Sequence, residues 1–156
     1  MNIYGYIDMG WASQKDQHST SGYFFHLGQE AITWSSKKQH IITLSSKEAE
    51  YIALTHVAKE ALWLQSMVSK ICRGDKKHVV INCNNQGSMV LSKDNKYHSW
   101  TKHIDIRYHF IHEVVKDSKV EVNYILTEEN IGDIFTKPLA KLKFAAFARM
   151  LGLAVR

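Results

Sequence analysis

Ser45, followed three residues later by Glu48, opens the segment that most constrains how this chain can fold. Serine and glutamate at that spacing form a capping box, in which each satisfies an orphan amide at a helix start. The helix this predicts runs to about Ile71. At about 100° per residue, Ala49, Ala53, Val57, Leu64 and Met67 fall on one apolar stripe, which must face a sheet. The segments ahead of it can supply one. Residues 3–8 alternate as a strand, with Tyr4, Tyr6 and Asp8 on one face and Ile3, Gly5 and Ile7 on the other. Residues 21–27 and 31–36 read as two more strands, joined through Gly28-Gln29-Glu30 into an antiparallel meander.

After the long helix comes a short apolar strand, 78–83, and then a helix from about Gln86 to Lys93. A further amphipathic helix is predicted over 102–116, with Ile104, Tyr108, Ile111 and Val115 on one side. Residues 120–125 read as the fifth strand. Thr127 is placed to cap a helix that Pro138, the only proline, would end, and residues 140–150 form the last helix. Three strands, helix, strand, helices, strand and helices describe an α/β fold, a mixed sheet covered by helices. In such sheets polar chemistry gathers at strand C-termini beside a switch in strand order.

A length of 156 residues suits one domain, 1–156, at about 100–200 residues per domain. No stretch approaches the ~20 apolar residues of a membrane span. The opening Met1-Asn2-Ile3-Tyr4 has no signal-peptide character, so we expect a soluble intracellular protein, cytoplasmic or nuclear, acting as a monomer. Cys72 and Cys83 agree with a reducing compartment and form no C-x-x-C pair, which argues against structural zinc. His98, His103, His109 and His112 have no cysteine or acid at zinc-ligand spacing either. The excess of 20 Lys+Arg over 15 Asp+Glu permits a nucleic-acid partner without requiring one. Trp11, Trp34, Trp63 and Trp100 read as packing residues, Trp100 being the one that could also stack on a base.

Four polar positions stand out. Asp8 ends the first strand, where an aspartate commonly just begins a turn. Glu50 lies near the centre of the long helix's apolar stripe, whereas Glu48 points the other way. A carboxylate on a buried face needs a partner, a proton or a metal to offset its desolvation, and a lysine would serve. Asp133, taken alone, reads as a solvated first-turn acid favoured by the helix dipole. Asn84 and Asn85 end the fourth strand as turn residues would.

Taken together these positions belong to longer blocks. They include Gly5-Tyr-Ile-Asp-Met-Gly-Trp-Ala12, Ser19-Thr-Ser-Gly-Tyr23, Ala31-Ile-Thr-Trp-Ser-Ser-Lys-Lys-Gln39 and Leu44-Ser-Ser-Lys-Glu-Ala-Glu-Tyr51. Further on stand Asn84-Asn-Gln86, His98-Ser-Trp-Thr-Lys-His-Ile-Asp-Ile-Arg-Tyr-His-Phe110 and Asp133-Ile-Phe-Thr-Lys-Pro-Leu139. In this order, from about residue 3 to Leu153, the chain resembles the ribonuclease H domain of copia-type retrotransposon polymerase polyproteins.

That resemblance implies a five-stranded sheet whose first three strands are antiparallel. It also implies an RNA–DNA hybrid partner and four acids holding two magnesium ions, with manganese possible, that hydrolyse the RNA strand. By motif the four positions are Asp8, Glu50, Asn84 and Asp133. Asp8, Glu50 and Asp133 would be the metal ligands that remain. The family usually carries aspartate where Asn84 stands. Asparagine has nearly the same shape but no charge, so the second ion should be weakened while the fold survives. Gly10 replaces a second aspartate of the first motif, and Trp100 an arginine that often follows His-Ser. Asn84 therefore reads either as a lesion in a decayed or host-captured element or as a substitution that traps uncleaved substrate; Gly10 and Trp100 favour the first. Relatives carry an upstream reverse transcriptase domain, which this sequence, beginning at the edge of its first strand, is expected to lack.

Ser99, Trp100, Thr101, Lys102, His103 and Arg107 lie in a stretch interleaving basic and aromatic side chains, where a helix start could hold phosphate. Without the resemblance it would read as a solvated basic helix face; with it, as a hybrid contact. Ser19-Thr20-Ser21 and Ser35-Ser36-Lys37-Lys38 are lesser candidates for the same role. Two alternatives to an impaired ribonuclease stay open: a catalytically dead nucleic-acid-binding module, and a captured domain that contacts protein.

Overall fold

The computed structural model describes residues 2–10, 18–43, 45–72, 78–85 and 102–153, apart from the side chains of Lys102 and His103. Its strands are β1 (Ile3–Gly10), β2 (Thr20–Leu27), β3 (Glu30–Lys38), β4 (Val79–Cys83) and β5 (Glu121–Tyr124). Helices α1 (Ser46–Ile71), α2 (Lys102–Lys116) and α3 (Lys141–Met150) accompany them, with two short 3₁₀ turns, Thr127–Glu129 and Ile131–Phe135. The predicted helix over 86–93 falls outside the described residues.

The sheet runs β3-β2-β1-β4-β5. β1–β2 and β2–β3 pair antiparallel, whereas β1–β4 and β4–β5 pair parallel. The chain thus leaves central β1 towards β3, and α1 carries it back to the other side. This places the change of strand direction at β1, where the C-terminal ends of two parallel neighbours, β1 and β4, open together. β4 is buried at every position, as expected of a strand covered on both faces.

Each face of the sheet has its own core. On one, Ile3, Ile7, Phe25, Val79 and Ile81 pack against the α1 stripe of Ala53, Val57, Ala61 and Leu64 and against Ile111 and Val114 of α2. On the other, Phe24 meets Ile131, Phe147 and Leu151, with Tyr6 and Phe135 at the margin. The Ser45 hydroxyl accepts the Glu48 amide at 3.2 Å, so the cap read from sequence starts α1.

Three expectations need correction. The segment after β5 is not a helix capped by Thr127: it forms two 3₁₀ turns, and Asn130 is the residue whose side chain caps the second. Close packing of Gly132 on β1 holds this segment too tightly against the sheet for a full helix. Asp133 is accordingly not a solvated first-turn acid but fully buried. Trp34 and Trp63 are not packing residues, being 64% and 56% exposed. Trp34 lies on edge strand β3, outside the cluster that buries its cross-strand neighbour Phe24, and Trp63 on the outer side of α1.

Candidate active site

The register of the parallel pair builds the site. Ile7 of β1 stands beside Cys83 of β4, so the next residues, Asp8 and Asn84, emerge as neighbours about 4.8 Å apart, one strand spacing. The first turns of α1 bring Glu50 over the same end. Asp8, Glu50 and Asn84 line one cavity of about 230 Å³, together with Cys83, Asn85 and Lys137. Burial raises the Cys83 thiol above its ordinary pKa despite a hydrogen bond at Asn85, and the Glu50 charge adds to the rise. Burial likewise holds the Tyr51 phenol well above its usual value, with Tyr108 and Glu50 contributing. The Asn84 amide points one N–H at the Thr127 hydroxyl, 3.5 Å away.

Asp133 does not line this cavity; it approaches Asp8 from the segment packed on the other face of the sheet, and two glycines let it come close. A Cβ on Gly132 would stand 3.0 Å from the Asp8 amide nitrogen and the Ile7 carbonyl carbon. A Cβ on Gly22, which pairs with Asp8 across the β1–β2 ladder, would meet Phe135 and Thr136 at 2.6 and 2.7 Å. Asn130, wholly buried, ties the segment down: its amide donates to the Ile7 carbonyl at 2.8 Å and its oxygen accepts the Gly132 N–H at 3.0 Å. The Thr136 hydroxyl then donates to Asp8.

Two lysines balance the buried charge. Lys137 Nζ lies 2.9 Å from Asp133 Oδ1 and 3.7 Å from Asp8 Oδ2, and Lys143 Nζ lies 3.1 Å from Asp133 Oδ2. The Lys137 ammonium thus lies directly against the buried Asp133 carboxylate. Burial works against the Lys137 ammonium, but Asp133 and Asp8 outweigh it and hold its pKa above the ordinary lysine value.

The oxygen donors lining the cavity, the Asp8 and Glu50 carboxylates and the Asn84 and Asn85 amides, are of the kind a hard divalent cation takes. Among the described residues, however, no three His, Cys, Asp or Glu side chains already converge as a finished ligand set. Lys137 stands between two of the acids instead.

Of the predicted nucleic-acid contacts, Ser99, Trp100 and Thr101 fall outside the described residues. Lys102 and His103 begin α2, and Arg107 is half-buried on its second turn. Arg107 shares a second cavity of about 520 Å³ with Lys37, Lys38 and Lys59, opposed by the single carboxylate of Glu60. Burial lowers the pKa of His56 in this groove, and Arg107, Lys59 and Lys37 lower it further. Ser19, offered as a phosphate contact, is fully buried and unavailable.

No protein-family model matches the chain. A Retrovirus-related Pol polyprotein from transposon TNT 1-94 of Nicotiana tabacum is 41% identical over 150 residues, which is 96% of this chain. The chain is a homologue of the copia-type retrotransposon Pol polyproteins. It spans 11% of that tobacco polyprotein's length. Among solved structures, the N-terminal RNase H domain of a Mycobacterium tuberculosis protein superposes with a TM-score of 0.63 at 11% identity, covering 95% of this chain and 96% of that one. LC11-RNase H1, solved in complex with an RNA/DNA hybrid, gives 0.63 at 19% identity, covering 86% and 94%. The copia-type homologue therefore has the ribonuclease H fold, with the strand order and pairing expected from its motifs. What sequence reading missed was the docking apparatus of this copia-type fold: Asn130, Gly132, Gly22, Thr136 and Lys137. Gly22, inside the Ser19–Tyr23 block, and Thr136 and Lys137, inside the Asp133–Leu139 block, carried some signal; Asn130 and Gly132 stood outside the quoted blocks.

Proposed function

We propose that this domain binds RNA–DNA hybrid across the β1–β4 end of the sheet and that its divalent-metal hydrolysis of the RNA strand is weakened by Asn84. The observation that carries this reading is one cavity lined by Asp8, Glu50 and Asn84, with Asp133 joined to Asp8 through Lys137. A bound pair of magnesium or manganese ions would supply a clamp on the attacking water and the leaving oxygen. Asp8 and Glu50 would hold such ions, Asp133 would complete one ligand set, and Asn84 would offer a neutral oxygen where a charge is wanted.

The chain's own residues do the rest. Thr136 orients the Asp8 carboxylate, and the Asn130–Gly132 contacts fix the approach of Asp133. Arg107 and the neighbouring Lys37, Lys38 and Lys59 give the surface positive charge for phosphates, with residues 99–103 beside them in sequence. Binding without cleavage is the second reading. It is favoured by the pairing of Asp133 with both Lys137 and Lys143, which leaves little net negative charge beside Asn84.

Titrating a fluorescent hybrid, a DNA duplex and single-stranded RNA, with and without magnesium, tests the proposal. We expect tightest binding to the hybrid and a steep loss with salt. Equal, weak binding to all three at low salt would end the hybrid assignment.

A further inference from the structure

Lys137 is the only cationic side chain lining the cavity of Asp8, Glu50 and Asn84 among the described residues. Its ammonium spans two acids, 2.9 Å from Asp133 Oδ1 and 3.7 Å from Asp8 Oδ2. Both carboxylates are buried, Asp133 at 0% and Asp8 at 5% exposure. Two such charges side by side repel, and each would cost several kcal/mol to desolvate without compensation. Thr136 answers part of this at Asp8, and Lys143 answers Asp133 from the other oxygen. The contact joining the two acids to each other comes from Lys137.

A divalent ion shared by Asp8 and Asp133 would need both oxygens at about 2.0–2.1 Å for magnesium. Nζ of Lys137 already occupies that interval, so ion and ammonium cannot be there together. The two lysine side chains are about equally exposed, 41% for Lys137 and 35% for Lys143, but differ in what else holds them; Lys137 can turn outwards on its four-carbon stem. Lys143 lies over the Phe147 ring, 5.1 Å from its centroid, and stays on Asp133 Oδ2 without obstructing the Asp8 side.

We infer that Lys137 is a tethered counter-ion, holding Asp8 and Asp133 together in the metal-free protein and leaving the cleft when a divalent cation enters. It is a positioning residue: metal entry and lysine release are a single exchange. This inference rests on the proposed function only in taking the cleft as a divalent-ion site. Two consequences follow. The acids stay assembled without metal, and divalent affinity is lower than the carboxylates alone would give, because each ion must displace a paired ammonium.

Lysine footprinting of the whole chain, without nucleic acid, reads the exchange directly. The protein is acetylated briefly with and without saturating magnesium, and each site is quantified by mass spectrometry. Lys137 should label several-fold faster with magnesium, while Lys143 and the remote Lys119 keep their rates. In parallel, Lys137→Met should melt lower without metal and bind magnesium about tenfold more tightly by calorimetry. Lys143→Met, if it folds, should keep the magnesium-dependent labelling of Lys137. Magnesium bound by the wild type with Lys137 labelling unchanged would overturn the inference and leave the metal reading standing. Magnesium bound by neither wild type nor Lys137→Met would overturn both. Binding seen only in Lys137→Met would also overturn the inference, because it would show an ammonium that does not leave for the ion.

Discussion

Replacing Asn130 by alanine should unfold the connection between the two faces of the site more than any change at a carboxylate. Its side chain is fully buried and makes two bonds: to the Ile7 carbonyl at 2.8 Å and from the Gly132 amide at 3.0 Å. Alanine strands a buried N–H, costing about 1–3 kcal/mol, and removes a second hydrogen bond worth about 1 kcal/mol. The sum, about 2–4 kcal/mol, corresponds to roughly 5–15 °C in Tm for a domain of this size. Asn130→Asp is the sharper probe. It keeps the acceptor for Gly132 but sets an oxygen against the Ile7 carbonyl, so it should cost at least as much despite its matching shape. Urea unfolding followed by circular dichroism gives both values. Losses under about 1 kcal/mol in both variants would show that Asn130 does not hold Asp133 against β1.

Gly132→Ala, with its new methyl 3.0 Å from β1 backbone atoms, should lose about 1–3 kcal/mol in thermal or urea melts and bind divalent ions more weakly. An unchanged melt would mean that the segment gives way freely. Cys72 is exposed and Cys83 buried with a raised thiol pKa, so a disulfide reagent at neutral pH should titrate one thiol quickly and the second only on unfolding. Two fast thiols would contradict the packing of β4. Arg107→Gln should weaken hybrid binding several-fold and flatten the salt dependence by about one phosphate contact. If affinity and slope both stay the same, the Arg107 groove lies off the binding path.

The sheet was legible in the sequence because its signals are local. The alternation in 3–8, the connection at Gly28-Gln29-Glu30 and the Ser45–Glu48 cap each act within a few residues, and each element formed where its pattern ended or a little beyond. Glu50 was preferred to Glu48 on the motif resemblance, with helical phase in agreement. The burial of Asp133 could not be read this way, because it depends on Asn130 reaching β1 across 123 residues and on two glycines whose role appears only when strands and turns meet. For the same reason the 3₁₀ turns looked like helix: apolar spacing does not reveal how closely a segment must lie on a sheet. Trp34 failed differently. An edge strand's alternation says which residues share a face, not how far the layer on that face reaches.

Asn84 is the residue on which the proposed loss of metal-dependent cleavage turns. It follows β4 beside Asp8, partly exposed, with a long 3.5 Å contact from its amide to the Thr127 hydroxyl, so the nearly isosteric aspartate fits in its place. The deciding measurement is cleavage of a labelled RNA–DNA hybrid in magnesium by the wild type, by Asn84→Asp and by Asn84→Asp with Asp8→Asn, with hybrid affinity recorded for each. We expect cleavage to rise by at least tenfold in the single variant and to vanish in the double, at comparable affinity. A single variant that binds hybrid as the wild type does and cleaves no faster would contradict the proposal.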